Sequence, residues 1–349
     1  MRRNAITLGV LIAVAVVAVQ ALLVPLFAAP AANMAPRDLP IAVAGPAAVA
    51  ARLEAGHPGA FEVTPVADAA AADAAIKDRE VYGAILVTAA GPEVHIASGA
   101  SPTVATLLSQ AATALATRPG ASGGPAAAGQ PAGSGQPAGV VVKDIVPLDA
   151  DDPRGTGFTA AFLPLAITSM IAGVLVFFLL KHRVARVAGL LTYGVLAGLG
   201  AAAVQQLWLG IVPGDYLAVA GALGLFALGM SAAVAGLAAL FGEAGIGLGA
   251  LTFFLVGNAI SGIAAAPELL PQPWGAVGQW LPIGAGGSLL RSMSYFDGAG
   301  AGFPAAVLTA YGLGGLILIL IGRKGLAGKQ ADVAVAGETA TSPELVAAS

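Results

Sequence analysis

The sequence predicts a membrane protein of the all-α class, with about six transmembrane helices and an extracytoplasmic α/β domain inserted between the first and second spans. Hydrophobic residues make up 57% of the 349 residues and charged residues only 10%, whereas an average soluble domain is about 25% charged. Long apolar runs open the chain and fill it again after residue 157, and most acidic residues lie between them. Runs of this length are expected to cross a bilayer as helices.

The first apolar run, residues 5–29, follows Arg2 and Arg3 and has two interpretations. A secretory signal peptide has an apolar core of about 7–15 residues and a small-residue cleavage site, which the alanines near residue 30 could supply. A run of about 25 residues is instead long enough to cross a bilayer. We therefore predict an uncleaved transmembrane anchor over residues 1–29.

Residues 30–157 differ in character, because short apolar runs alternate there with helical stretches. Strands are predicted at residues 39–44, 61–66, 81–88, 94–98 and 140–146, and helices at 46–56, 68–80 and 101–117. Asp68 is placed to cap the second of these helices. The alternation favours a small α/β domain with a partly parallel sheet. Residues 119–139 contain only Pro, Gly, Ala, Ser and Gln, which predicts a flexible loop.

The rest of the chain is almost wholly apolar and predicts a five-helix membrane domain over residues 158–322. Its spans are expected at residues 158–180, 188–211, 217–241, 245–265 and 303–321. Residues 266–302 differ, since they hold Trp274, Trp280 and three prolines, with an amphipathic stretch near 289–296. Tryptophan prefers the membrane interface, so this outer segment is predicted to be re-entrant or interfacial. Residues 323–349 are predicted to form a disordered cytoplasmic tail.

Basic residues in short loops set the orientation of the spans. With the N-terminus in the cytoplasm, eight basic residues lie on the inner side and one, Arg291, lies in the short outer segments. The eight are Arg2, Arg3, Lys181, Arg183, Arg186, Arg323, Lys324 and Lys329. This count predicts a multi-pass protein of the cell membrane with both termini cytoplasmic.

Few residues offer catalytic, cofactor or metal chemistry. The nearest string to a phosphate-binding loop, residues 325–330, lacks both the spacing and the hydroxyl residue of that motif. The histidines His57, His95 and His182 are scattered, and cysteine is absent. We therefore expect a protein that is not an enzyme and holds no metal or cofactor. The net charge of −3 is too small to favour nucleic acid as a partner.

An acidic cluster before the second span has two interpretations. Asp149, Asp151 and Asp152 resemble the start of a calcium loop, but Pro153 and Arg154 stand where further oxygen ligands and the turn glycine would be needed. The sequence therefore favours a solvated linker.

The predicted spans carry no ionisable residue at mid-depth. Proton-coupled transporters and ion pumps place such residues within spans, so a self-powered transporter is disfavoured. The polar residues within the spans are mainly Gln205, Gln206, Asn258 and Ser261. They are either interhelical hydrogen-bonding groups or a polar stripe along a substrate path or subunit seam.

The order of one span, a large external domain and five spans is accompanied by several local strings. They are Val146–Leu148 with Asp152–Gly155 before the second span, Gly257–Gly262 in the fifth, and Leu281–Gly286 with Leu290–Ser292 before the sixth. In order and strings the chain resembles the membrane subunits of the ABC-2-type exporter family, including its YhgE-like and phage-infection-protein branch. The resemblance covers nearly the whole chain.

This resemblance implies a permease that dimerises, as a homodimer or with a similar permease, and is driven by a separate ATP-binding subunit. Family members move lipids, polymers, peptides or drugs. The residues expected to contact the ATPase are Arg2, Arg3, Lys181, Arg183 and Arg186, unless these are simple positive-inside anchors. The alternative function is a non-transporting scaffold or secretion accessory protein whose external domain binds a partner.

Overall fold

The computed structural model describes residues 2–88, 91–116 and 140–322. It is mostly helical, with one small mixed sheet in the described residues. The loop predicted at residues 119–139 and the tail predicted at 323–349 lie outside the described residues.

An α/β domain follows the first helix, as the sequence predicts. The first helix is α1 (Arg2–Ala32). The elements of the domain that follows it are β1 (Leu39–Ala44), α2 (Ala47–Gly56), β2 (Phe61–Pro65), α3 (Ala69–Lys77), β3 (Gly83–Thr88), β4 (Gly91–Ile96), α4 (Pro102–Ala116) and β5 (Val141–Asp144). The strand order is β2-β1-β3-β4-β5, and every pair is parallel except β3 with β4. The sheet is therefore partly parallel.

Local signals in the sequence account for the starts of these elements. The Asp68 carboxylate accepts a hydrogen bond from the backbone N–H of Ala71 and caps α3, which confirms the predicted cap. Pro46 stands directly before α2. Apolar residues of β1 alternate between the two faces of the sheet: Leu39 and Ile41 pack beneath α4, and Ala42 and Ala44 pack beneath α3.

Eight further α-helical segments lie in the remainder of the described chain. They are α5 (Thr156–Leu179), α6 (Arg183–Ala202), α7 (Tyr216–Phe241), α8 (Glu243–Gly249), α9 (Gly257–Ala259), α10 (Trp274–Gln279), α11 (Pro282–Tyr295) and α12 (Gly302–Ile321). A π-helical stretch, Ala250–Val256, joins α8 and α9 into one helix. A second π-helical stretch, Ala203–Trp208, extends α6.

Among the described residues, five helices are long and apolar enough to cross a membrane, one fewer than predicted. They comprise residues 6–32, 156–179, 183–208, 216–241 and 302–321. The span predicted at 245–265 is a shorter apolar helix, Glu243–Ala259, about 26 Å long at 1.5 Å per residue. It ends early because the chain turns at Gly262, whose φ of +66° is left-handed, before Pro267.

The central helix of the bundle is α7, which packs against α5, α6, α11 and α12. Small residues let the backbones approach closely: a methyl group added at Gly198 would lie 2.2 Å from the carbonyl oxygen of Ala220. On another side of α7, a methyl group at Gly236 would lie 2.7 Å from the Gly315 carbonyl oxygen. Phe158, Phe162, Phe226 and Met230 fill the space between these helices.

Residues 260–301, called the junction segment below, pack between the bundle and the α/β domain. The stretch predicted as amphipathic, residues 289–296, belongs mostly to α11, which is buried along most of its length. A methyl group at Gly286 would lie 2.4 Å from the Phe226 ring. Trp274 and Trp280 remain half or more exposed, at 50% and 63%.

The same segment completes the core of the α/β domain on both faces of its sheet. Ala265, Ala266 and Leu269 pack with β1 and α4, whereas Phe296 packs with α3. Two backbone hydrogen bonds add to this contact, from Ala35 N–H to the Leu269 carbonyl and from Arg37 N–H to the Glu268 carbonyl.

Candidate functional site

Arg79 enters the junction from the turn that ends α3. Its backbone has φ of +59°, a left-handed conformation that is uncommon for residues other than glycine. The turn is closed by hydrogen bonds from Arg79 N–H to the Ile76 carbonyl and from Glu80 N–H to the Ala75 carbonyl. The Arg79 side chain reaches α11, where Ser288 and Ser292, distant along the chain, accept its hydrogen bonds.

The Arg79 guanidinium is held by polar atoms and one aromatic ring. Its Nη1 donates to the Ser288 carbonyl at 3.1 Å and to the Ser292 hydroxyl oxygen. Its Cζ lies 5.2 Å from the centre of the Phe296 ring, a favourable cation–π geometry.

Arg291 lies on α11 and is buried, with 8% of its surface exposed. Its Nη2 donates to the Ile263 carbonyl at 3.2 Å, and its Cζ lies 4.9 Å from the centre of the Phe158 ring. No ion pair joins Arg79 or Arg291 to a carboxylate in the described part of the chain. Burial lowers the pKa of both guanidinium groups, and their mutual repulsion lowers that of Arg291 further.

The carboxylate nearest to this pair is already engaged. Glu268 accepts a hydrogen bond of 2.8 Å from the hydroxyl of Tyr82, the residue that leads into β3. Burial raises the pKa of Tyr82, and the charge of Glu268 raises it further, so the hydroxyl stays protonated and donates.

These groups surround a cavity of about 340 Å³ between the domain and the junction segment. Arg79 and Tyr82 line its domain side, and Glu268, Ser288 and Arg291 line its other side. Gln279 adds polar atoms: its Nε2 donates to the Ser261 carbonyl at 2.8 Å, and its Oε1 accepts from the Ser288 hydroxyl at 2.6 Å. We call this the junction cavity and take it as the candidate functional site.

The predicted ATPase contacts have local bonding roles where their side chains are described. Arg183 donates to the carbonyls of Leu320 and Gly322 at the end of α12, at 2.6 Å each. Arg186 donates to the Phe177 and Leu180 carbonyls at the end of α5, at 2.8 and 2.7 Å.

The last carbonyls of a helix lack partners within it, so these arginines satisfy helix ends. The loop predicted at residues 181–187 is shorter than expected, because α6 begins at Arg183. Lys181 is exposed between α5 and α6. For Arg2 and Arg3 the structure describes the helical backbone of α1.

The predicted polar stripe is not assembled by any hydrogen bond among the described residues. Gln206 donates to the carbonyls of Pro213 and Gly214 in the turn before α7, and Gln205 is buried beside it. The Ser261 hydroxyl donates to the Asn258 carbonyl, its own neighbour along the chain. Of the four residues, Ser261 alone lines the junction cavity.

One acidic residue assigned to a solvated linker is buried instead. Asp152 is 5% exposed, and its Oδ2 accepts a hydrogen bond of 2.8 Å from the N–H of Phe158, in the first turn of α5. The prediction missed this role because Asp152 stands four residues before the helix, outside the usual capping spacing.

Arg79, Tyr82 and Glu268 were not predicted as site residues. One available signal was Arg291, the lone basic residue of the short predicted outer segments, since a buried arginine needs compensating groups. The bonds from Arg79 to Ser288 and from Tyr82 to Glu268 span 209 and 186 residues, so they could not be read from spacing.

No protein-family model, no curated protein and no solved structure matches the chain. The class of protein therefore follows from the fold. Five apolar helices of membrane-spanning length, together with a small mixed α/β region, indicate a membrane protein.

Proposed function

We propose that this chain is the membrane-spanning permease subunit of an ABC-type exporter in the cell membrane, powered by a separate ATP-binding subunit. The observation that carries the proposal is the position of the junction segment. It lies between the short helix Glu243–Ala259 and the last span, and it packs against both the bundle and the α/β domain. This packing gives the bundle and the α/β domain a common element through which movement could pass, which supports the proposal.

The helix α11 provides a route between the two parts. Near its start Gly286 packs on the rings of Phe162 and Phe226 within the bundle. Toward its end Ser288 and Ser292 accept hydrogen bonds from Arg79 of the α/β domain. A displacement of α5 or α7 would therefore move α11, and α11 would carry that movement to the domain.

The first helix supports the proposed pairing of two permease subunits. Residues 6–29 of α1 include no residue that is buried against the rest of the chain. The interior of the bundle is filled by apolar and aromatic side chains. A passage for a substrate would then form at a seam between subunits, where α1 has apolar surface to contribute.

Contact with the ATPase is expected at the end of the bundle where α5 and α6 meet. Arg183 and Arg186 hold helix ends there, so Lys181 is the better contact candidate of the three. With the predicted orientation, this end and both termini face the cytoplasm, and the α/β domain faces outward.

The test is site-specific crosslinking in native membranes. The chain has no cysteine, so single cysteines at Lys181 and Val184 would carry a cleavable crosslinker, with a cysteine at Glu54 of α2 as the matched control. All three positions are exposed. The proposal predicts capture of an ATP-binding protein from positions 181 and 184 and not from position 54.

Two results would contradict the proposal. Equal labelling of Lys181→Cys and Glu54→Cys by a membrane-impermeant thiol reagent in intact cells would refute the orientation. Capture of an envelope or secretion component from position 54, with no ATP-binding protein from positions 181 and 184, would favour the scaffold function instead.

A further inference from the structure

We propose that the junction cavity binds a phosphate-bearing ligand, with Arg79 and Arg291 as the residues that contact its oxygen atoms. The proposal concerns a binding site and does not depend on the ATP-driven function. The phosphate could belong to a lipid headgroup or be free in solution, and the experiment below distinguishes these sources.

Unused donors on the two arginines are the first argument. A guanidinium carries five N–H donors on three nitrogens in a fixed plane. Within the described residues, the hydrogen bonds of Arg79 involve Nη1 alone, and that of Arg291 involves Nη2 alone. Both side chains line the cavity, so the remaining donors are available to a ligand there.

Incompletely compensated charge is the second argument. Two cations lie close enough to repel each other, and no described carboxylate lies within 4.0 Å of either one. Glu268, which accepts the Tyr82 hydroxyl, attracts Arg79 only from beyond that distance. Burying a charge without a paired counter-charge is unfavourable, so an anion that contacts both guanidinium groups would compensate them.

The geometry and charge favour phosphate over a single carboxylate. A phosphate monoester carries about −1.5 to −2 charges at neutral pH and three strong acceptor oxygens. Planar guanidinium groups match such oxygens with paired hydrogen bonds. Gln279 and Ser288 add an amide and a hydroxyl to the wall, while a monocarboxylate would neutralise only one of the two cations.

Other residues of the cavity lining suit the carbon portion of an amphipathic ligand. They are Ile263, Ala276, Phe303 and Pro304, and Trp280 packs edge-on against Phe303 with ring centres 4.9 Å apart. Tryptophan is enriched at the membrane interface. The volume, about 340 Å³, is within the usual range for small-molecule sites.

A purely structural clamp is the competing explanation, because Arg79 also joins the domain to the junction segment and Arg291 holds that segment to itself and to Phe158 of α5. It predicts that substitution weakens the junction and that no ligand changes this. The two explanations therefore differ in ligand response.

The experiment measures ligand affinity by thermal stabilisation of the full-length protein in detergent at constant ionic strength. The probes are inorganic phosphate, dihexanoyl phosphatidic acid, whose phosphate is a monoester, and dihexanoyl glycerol, which lacks phosphate. We expect stabilisation by one or both phosphate-bearing probes and none by dihexanoyl glycerol. Each of Arg79→Gln and Arg291→Gln should weaken the affinity about tenfold or more, as expected when a charge-assisted hydrogen bond is lost.

Arg37→Gln is the matched control. Arg37 also bridges the two parts, donating to the Leu269 carbonyl at 3.0 Å, but it does not line the cavity. Its substitution should leave the ligand affinity unchanged. If either Gln variant fails to fold, the corresponding Lys variant, Arg79→Lys or Arg291→Lys, replaces it. Lysine keeps the positive charge but lacks the planar guanidinium with its paired donors. Binding is then measured by equilibrium dialysis with labelled inorganic phosphate and labelled lipid.

The outcomes separate cleanly. Tighter binding of phosphatidic acid than of inorganic phosphate would identify a lipid-derived ligand, and equal binding would identify a free phosphate. Binding that is equal for all three probes, absent for all three, or unchanged in the arginine variants would overturn the proposal and leave the clamp.

Discussion

The hydrogen bond between Tyr82 and Glu268 should hold the α/β domain against the junction segment. The change Tyr82→Phe removes the hydroxyl and keeps the ring, so it leaves the half-buried Glu268 carboxylate without that donor, 2.8 Å away in the native protein. A hydrogen bond to a charged group contributes about 1.5–3 kcal/mol. The loss should therefore lower the free energy of opening the junction by about that amount.

Hydrogen exchange at the junction measures this free energy directly. The backbone N–H groups of Ala35 and Arg37 donate to carbonyls of Leu269 and Glu268, so they exchange when the two parts separate. Since a tenfold change corresponds to about 1.4 kcal/mol, Tyr82→Phe should accelerate their exchange about 10- to 100-fold.

Tyr216→Phe is the control for Tyr82→Phe. The Tyr216 hydroxyl donates to the Leu199 carbonyl at 2.9 Å within the bundle, so its loss should leave exchange at Ala35 and Arg37 unchanged. A double variant with Glu268→Gln should show less than the sum of the two single effects, because the residues share one bond. Unchanged exchange at both amides after Tyr82→Phe would refute the assigned role of the bond.

Two further predictions use melting temperatures of the full chain in detergent. Gly198→Ala should destabilise by about 1–3 kcal/mol, because the new methyl group would lie 2.2 Å from the Ala220 carbonyl oxygen. Gly200→Ala, with no atom within 4 Å of the added group, should be neutral or stabilising by up to about 1 kcal/mol. Equal effects of the two substitutions on stability would contradict the close approach of the helices at Gly198. Arg186→Gln should lower the free energy of unfolding by about 1–3 kcal/mol, because the carbonyls at the end of α5 lose their donor. Lys181→Gln should change it by no more than about 0.5 kcal/mol, but it should weaken capture of the ATP-binding protein.

The elements of this fold were predictable because their signals are local. Alternating and continuous apolar runs predict β1 and α7 within a residue or so of their observed bounds. The side chain of Asp68 caps its own helix three residues on. The error at the fifth span has a local cause too: composition stays apolar to Ala265, but the left-handed turn at Gly262 follows the end of the helix at Ala259.

The candidate site was not predictable in the same way, because its contacts join distant parts of the chain. Tyr82 and Glu268 are 186 residues apart, and Arg79 and Ser292 are 213 apart. Arg183 and Arg186 show instead how nearby hydrogen bonds can account for basic residues at the end of a span. Their charge at the end of a span predicted a partner contact, yet their donors are used by carbonyls of α12 and α5.

The junction segment explains why a chain so poor in charge keeps two arginines buried. A domain attached by apolar contacts alone could slide on α11, since the apolar contacts at Leu269 and Phe296 have little directional preference. Hydrogen bonds from Arg79 to two points on α11 fix both position and rotation. Because Arg291 lies on the same helix, one anion between the two guanidinium groups would tighten the junction, and its release would loosen it. The ligand proposed for the cavity would therefore control how firmly the bundle and the domain move together.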